Sequence, residues 1–243
     1  MLFTNLPPDG EYFASGVPGS FHQRLFPKAS LNFAHSSCAL YWMSKVPKEL
    51  GDSNSPVCNK GRIFNFNAPD EVGQAYAAQY AKDIESFWAA RAEEMVPGGL
   101  MAITVSGRLD GTASAEDSIG LFFQLLETCL FDMANEGKLS KVKIDSFNLP
   151  LFNPSPDELR AIIQNNGCFS LATLEILPPL STRLLSGKEC RAGHEGIIGQ
   201  HFGSEIIDEL FERYETKVEG QPLLHPDVNG DGFLLFILLQ SKH

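Results

Sequence analysis

The sequence predicts an α/β fold. Three observations carry that expectation. Segments with apolar residues at three- and four-residue spacing alternate with short, continuous apolar runs, the pattern of helices crossing over a sheet. The helical segments carry their own start and stop residues. At 243 residues, 43% hydrophobic and 20% charged, the chain suits one large domain, or one domain with an added cap.

The elements follow in order. The first 30 residues, with "LPPDGEYFASGVPGSFHQRLFP", are rich in Gly, Pro and aromatics and read as loop. "SLNFAHSS" is a short buried strand, and "CALYWMSKVP" a short helix or turn closed by Pro47. Residues 48–61 form a polar loop ending at "NKG", after which "RIFNF" is a candidate short strand. The clearest helix spans Pro69 to Met95. Pro69 suits its first turn, and Asp70 and Glu71 complement its N-terminal dipole. Val72, Tyr76, Tyr80, Ile84, Phe87 and Trp88 give it one apolar stripe. "VPGG" stops it, and "LMAITVSGR" reads as a buried strand.

"DSIGLFFQLLETCLFDMANEG" is the next helix, stopped by Gly137. "SPDELRAIIQNNG" is another, with Ser155 as N-cap, Pro156 at the first helical position and Gly167 after its end. "CFSLATLEIL" reads as a strand. "HEGIIGQHFGSEIIDELFERYETKV" reads as a helix broken near Gly203, and "GFLLFILLQ" as a final buried strand.

Composition excludes several functions. A net charge of -11 without a Lys/Arg cluster argues against a nucleic-acid or anionic-membrane surface. No apolar run is long enough for a membrane-spanning helix. The five cysteines (Cys38, Cys58, Cys129, Cys168 and Cys190) form no CxxC pair, and no secretory leader is visible; a reducing, cytoplasmic compartment is expected. "DVNGDG" at 227–232 opens like a calcium loop, but its twelfth position is Leu238 instead of a bidentate Glu, so a turn is expected. No HExxH, G-x-S-x-G, G-x-G-x-x-G or Walker loop is present.

Two segments carry more. "EEMVPGGLMAITVSGR" has the helix, Pro-Gly-Gly turn and apolar strand that recur in methyltransferases using S-adenosylmethionine, although any helix-to-strand turn favours Gly. In "DSFNLP", Asp145 and Asn148 offer oxygen ligands for a hard cation, but the residues alone favour an Asx-type turn closed by Pro150.

With "VPGSFHQRLFPKASLNFAHSSCALYWMSKVP", "NKG", "DSFNLPLFNPSPDEL", "CRAGHEGIIGQHFG" and "IIDELFERY", these segments run in an order and spacing that resembles the plant SABATH carboxyl methyltransferases. That family methylates small carboxylic acids such as salicylate, jasmonate or indole-acetate, or ring nitrogens of xanthine alkaloids. The resemblance implies a Rossmann-like methyltransferase sheet from 1–110 and 168–243, a mainly helical cap over 111–167, and a homodimer. It implies that Ser20, Phe21 and Cys38 lie at S-adenosylmethionine. It places Tyr41 and Trp42 along the acceptor pocket, with Phe122, Phe123 and Cys190 shaping its ring end. It assigns a magnesium ion to Asn59, Asp145, the Phe147 carbonyl and Asn148. No general base is implied, because a carboxylate is already nucleophilic at neutral pH.

The chain also departs from the family. The segment with a Gln-type acceptor contact, the glycine-rich turn of the type "DLGCSSGPN" and the strand with an acidic ribose ligand have no counterpart, and "MLFTNLPP" aligns after them. An N-terminally truncated sheet with an exposed apolar edge is therefore expected, and weak or no cofactor binding by this chain alone. Cys38 stands where the family often has Tyr, which enlarges the pocket. Two readings follow: a carboxyl methyltransferase, or an inactive relative that dimerises with an intact paralogue.

Overall fold

The computed structural model describes residues 13–65, 67–111, 118–177, 185–220 and 233–242. Residues 13–30 contain no helix or strand, and the candidate calcium turn at 227–232 lies outside the described residues. The elements are β1 (Leu31–Ser37), α1 (Asp70–Glu94), β2 (Met95–Gly107), α2 (Ser118–Asn135), α3 (Lys141–Asp145), α4 (Pro156–Asn166), β3 (Phe169–Leu177), α5 (Gly187–Phe202), α6 (Ile207–Glu219) and β4 (Phe233–Ser241).

The strands form one mixed sheet in the order β1-β2-β4-β3. β1 lies parallel to β2, and β4 runs antiparallel to both β2 and β3. β4 is apolar on both faces, as its uninterrupted run predicts for a central strand. β1 is the edge, and its Phe33 is 58% exposed.

The "VPGG" stretch ends α1 as expected, but it belongs to β2 instead of preceding it. Leu31 pairs with Met95 and Phe33 with Leu100, so three extra residues bulge out of β2 there. Gly98 takes a φ of 78°, which a side chain would resist. A Cβ on Gly99 would sit 3.2 Å from the Asn32 carbonyl oxygen, so glycine lets β1 close on the bulge.

Helix ends follow their local chemistry. In α4 a reciprocal capping box joins Ser155 and Glu158, and Gly167 closes the helix at φ 72°. α5 starts with the same box, Ser186 with Glu189, and so begins seven residues before the expected start at His194. "RIFNF" forms no strand: the Ile63 amide donates to Glu127 and its carbonyl accepts from Leu149, which leaves no ladder to join. α3, five residues long, has no counterpart in the sequence reading.

Two hydrophobic clusters sort the helices. One joins α1, α4 and the sheet, through residues such as Tyr80, Trp88, Leu159, Ile163 and Leu235. The other joins α2, α3, α5 and α6, through Leu126, Ile144, Ile198 and Leu210. The expected cap boundaries of 111–167 do not follow these clusters. α4 falls inside that range yet packs on the sheet side, while α5 and α6 fall outside it yet complete the helical side. An amphipathic helix joins whichever apolar face it can cover, whatever its place in the chain.

The C-terminal end of α1 anchors the loop ahead of β1. Arg91 Nε lies 2.6 Å from Glu94 Oε2, with both side chains buried. Arg91 also donates to the Phe21 and Gln23 carbonyls, at 3.1 and 2.9 Å. Glu94 Oε1 accepts from the amides of Leu25 and Phe26. Every polar atom of a buried ion pair needs a partner, and this one takes its remaining partners from the loop. Arg91→Ala is expected to cost about 3–5 kcal/mol in urea unfolding, since it strands the Glu94 carboxylate. It should also open the freed loop to trypsin at Arg24; unchanged stability and cleavage would contradict the anchor.

Candidate active site

In open α/β sheets, ligands gather outside the carboxyl ends of the strands. Here β1 ends at Ser37, and Cys38 turns the chain away with φ 47°, a left-handed conformation uncommon outside glycine. Its amide still donates to the Thr104 carbonyl of β2, at 2.8 Å.

The following turn is strapped down on two sides. Trp42 forms an isolated antiparallel bridge with Leu151, Met43 N donates to Pro150 O at 2.7 Å, and Phe152 N donates to Tyr41 O at 2.9 Å. On the other side Asp83 of α1 accepts from Ser44 N at 2.8 Å, Ser44 Oγ at 2.7 Å and Gln79 Nε2 at 2.9 Å. The turn thus holds Tyr41 and Trp42 in fixed orientation. Their rings stack 5.7 Å apart.

Trp42 faces an aromatic box built from α2 and α5. His194 lies 5.8 Å from Trp42, 5.3 Å from Phe122 and 5.6 Å from Phe123, centroid to centroid. Cys190 sits one helical turn before His194, fully buried, and its carbonyl accepts from His194 Nδ1 at 2.9 Å. Tyr41, Trp42, Phe122, Phe123 and Cys190 therefore share one cluster, with Tyr41 and Trp42 at its partly open side. Burial pushes the Tyr41 hydroxyl up, opposed by a hydrogen bond with Trp42. It pushes the Cys190 thiol well above the usual range and the His194 imidazole down. The sequence reading missed His194. The Ser186-x-x-Glu189 capping box was the available signal: it starts α5 early enough to put Cys190 and His194 on one face.

Ser20 and Phe21 lie in the loop held by Arg91 and Glu94. Ser20 Oγ accepts from the His22 amide at 3.3 Å, and Ser20 O from Gln23 N at 3.0 Å. Phe21 is half-buried against the sheet-side cluster.

A family model described as SAM dependent carboxyl methyltransferase matches residues 1–241. The chain belongs to that family. Loganic acid O-methyltransferase of Catharanthus roseus is 41% identical over 98% of this chain and 66% of its own length. Jasmonate O-methyltransferase of Arabidopsis thaliana is 38% identical over 86% of this chain and 60% of its own length. The solved structure "Loganic acid methyltransferase with SAH" superimposes with a TM-score of 0.91 at 40% identity, covering 100% of this chain and 70% of that one. The chain thus spans about two thirds of the length of the curated relatives it matches.

The residues present suit one implied group and not the other. For S-adenosylmethionine, Phe21 offers a partly exposed ring, Ser20 a hydroxyl proton beyond the bond it accepts, and Cys38 a thiol at a strand end. For magnesium, ligands must turn several oxygens toward one point. Asn59 instead points its amide nitrogen at Asn148 Oδ1, 2.7 Å away, and at the Phe64 carbonyl, 2.9 Å away. Asn148 Oδ1 also accepts from Tyr76 at 3.3 Å, and Asp145 Oδ1 accepts from Gly61 N at 3.0 Å. Asn59 Oδ1 is buried without a partner, but flipping the amide to use its nitrogen there would set an oxygen against two acceptors. Among the described residues no three His, Cys, Asp or Glu side chains gather for a metal. Asn59 and Asn148 form a hydrogen-bonded clasp with Tyr76 of α1, Asp145 bonds separately to the Gly61 amide, and among the described residues no hydrogen bond joins the Phe147 carbonyl to them, so the four do not fit a magnesium ion as arranged.

Two outcomes follow. Asn148→Ala should cost about 1–3 kcal/mol, since it leaves one Asn59 amide proton short of its acceptor, while millimolar magnesium or EDTA leaves Tm in place; a rise of several degrees with magnesium would restore the metal. Burial also holds the Cys129 thiol up at about 11, with Cys190 higher still. Because the thiolate is the nucleophile, iodoacetamide near pH 8 should alkylate both roughly tenfold more slowly than Cys38, Cys58 or Cys168, as read by peptide mass spectrometry.

Proposed function

We propose that this chain methylates the carboxylate of a small-molecule acid, with S-adenosylmethionine as methyl donor. One observation carries the reading: Trp42, held by the straps to Leu151 and Asp83, turns toward an apolar box of Phe122, Phe123 and His194. An indole N–H donates and cannot accept. The Trp42 N–H, which pairs with the Tyr41 hydroxyl in this structure, would turn from that partner to one carboxylate oxygen and leave the other to react. The rings of Phe122 and Phe123 take the body of the acid and exclude water.

Ser20, Phe21 and Cys38 would hold S-adenosylmethionine at its adenosyl part; the cofactor would supply a methyl already activated by its sulfonium charge. No residue has to remove a proton, because a carboxylic acid with a pKa near 4 arrives ionised. What this chain contributes is alignment, which supplies roughly 7–11 kcal/mol in well-oriented systems. Magnesium enters no step. A homodimer and a cytoplasmic setting complete the reading; among the described residues no helix is long and apolar enough to cross a membrane.

A second reading, a non-catalytic partner of a related chain, is favoured by the edge position of β1, which among the described residues pairs on one side only. Calorimetric titration with S-adenosylhomocysteine separates the two: saturable heat supports the enzyme, and a folded protein without heat supports the partner.

Methyl transfer from labelled S-adenosylmethionine to loganic, jasmonic and farnesoic acids tests the reaction. Trp42→Phe keeps the ring shape and loses the N–H, and should lower kcat/KM about 100-fold on whichever acid is used, as expected for a lost bond to a charged group. An unchanged kcat/KM would remove Trp42 from the carboxylate.

A further inference from the structure

His194 is 6% exposed, and its Nε2 has no hydrogen-bond partner. Such buried orphans are uncommon and call for an explanation. The ring's tautomer follows from geometry. Nδ1 sits 2.9 Å from the Cys190 carbonyl oxygen, which only accepts, so Nδ1 carries the proton. In the neutral ring Nε2 is then a bare acceptor. Burial opposes a second proton there. Because Nδ1 is turned back onto its own helix, the opposite edge with Nε2 points away from α5. Around the imidazole stand Trp42, Phe122 and Phe123, which offer ring carbons and one N–H that pairs with the Tyr41 hydroxyl.

We propose that His194 Nε2 selects an acid that carries a hydroxyl group away from its carboxylate, accepting that hydroxyl's proton in a hydrogen bond. The inference rests on the acceptor-site reading above. Trp42 and His194 then form a two-point grip of opposite polarity: a donor for the charged end, and an acceptor for a neutral donor on the body. An acid without the hydroxyl leaves the imidazole lone pair desolvated and unpaired. A site built around such a bond discriminates more strongly than one that merely fits a shape.

The test uses matched acids: benzoate against its three monohydroxy isomers, and cyclopentanecarboxylate against its hydroxylated forms. Binding is measured by calorimetry on the whole chain with S-adenosylhomocysteine present. At least one hydroxy acid should bind roughly 10- to 100-fold tighter than its parent, the cost of one unsatisfied buried acceptor. His194→Phe should level the pair, and His194→Gln, which keeps an acceptor oxygen, should restore part of the preference. On the wild type, the Nε2 resonance of nitrogen-15-labelled histidine should move upfield with the hydroxy acid and not with its parent, a readout that survives if His194→Phe fails to fold. Equal binding of both acids, still weakened by Trp42→Phe, would overturn the role of His194 and leave the acceptor site standing. Binding of neither acid, or binding indifferent to Trp42→Phe, would overturn the acceptor site and this inference with it.

Discussion

Buried polar groups must be paired, and α1 turns that rule into architecture. Its apolar stripe covers the sheet, but beside the stripe it carries Tyr76, Asp83, Arg91 and Glu94, all buried. Successive stations lie seven and eight residues apart, near two helical turns, so they line one side of the helix. Each takes its partners from a different loop. Tyr76 donates to Asn148 and to the Leu149 carbonyl, Asp83 holds Ser44, and the Arg91–Glu94 pair holds residues 21–26. These loops carry Phe21, the Tyr41–Trp42 pair, and the 145–149 segment. An apolar helix could have packed equally well on the sheet and left all of them undirected. The polar stations cost desolvation and return fixed loop geometry.

The candidate site lies where the two hydrophobic clusters meet. Tyr41 packs against both, and Trp42 leans on the helical one. Neither half makes the pocket alone: the sheet side supplies the turn after β1, and the helical side supplies Phe122, Phe123 and His194. Pockets at such seams are common because two rigid bodies rarely close without a gap. The Trp42–Leu151 bridge and the clasp at Asn59 and Asn148 stitch the two clusters together beside these rings, so their spacing does not depend on ring packing alone.

What could be read in the sequence was local. The stripe of α1, the Ser155 cap and Gly167 stop of α4 and the apolar run of β4 are set within a few residues, and each stands where expected. What could not be read was pairing across the chain. Arg91 and Glu94 look like surface charges until residues 21–26 arrive from about 70 positions away. "RIFNF" has the composition of a strand, but the Ile63 amide is claimed by Glu127 and the Ile63 carbonyl by the Leu149 amide. The assignment of Asn59 and Asn148 to a metal rested on residue type, which cannot say which way an amide turns. His194 is the opposite case: its helix start was legible in Ser186 and Glu189, and its orphaned nitrogen was not.

The electrostatics of the box bear on why such a site suits an anion at all. The chain is acidic overall, and the side chains described in the box, Trp42, Phe122, Phe123, Cys190 and His194, include no Lys or Arg. Burial pushes every titratable group there toward its neutral form: Tyr41 and Cys190 upward, His194 downward. On the proposed reading, the carboxylate of a bound acid would enter a site whose own side chains are neutral. A cationic side chain would bind that carboxylate more tightly, but it would stabilise the ground state and blunt the oxygen's nucleophilicity. A neutral box would leave the sulfonium charge that S-adenosylmethionine supplies as the carboxylate's main counter-charge. In a buried site the attraction between two such charges would be stronger than in water.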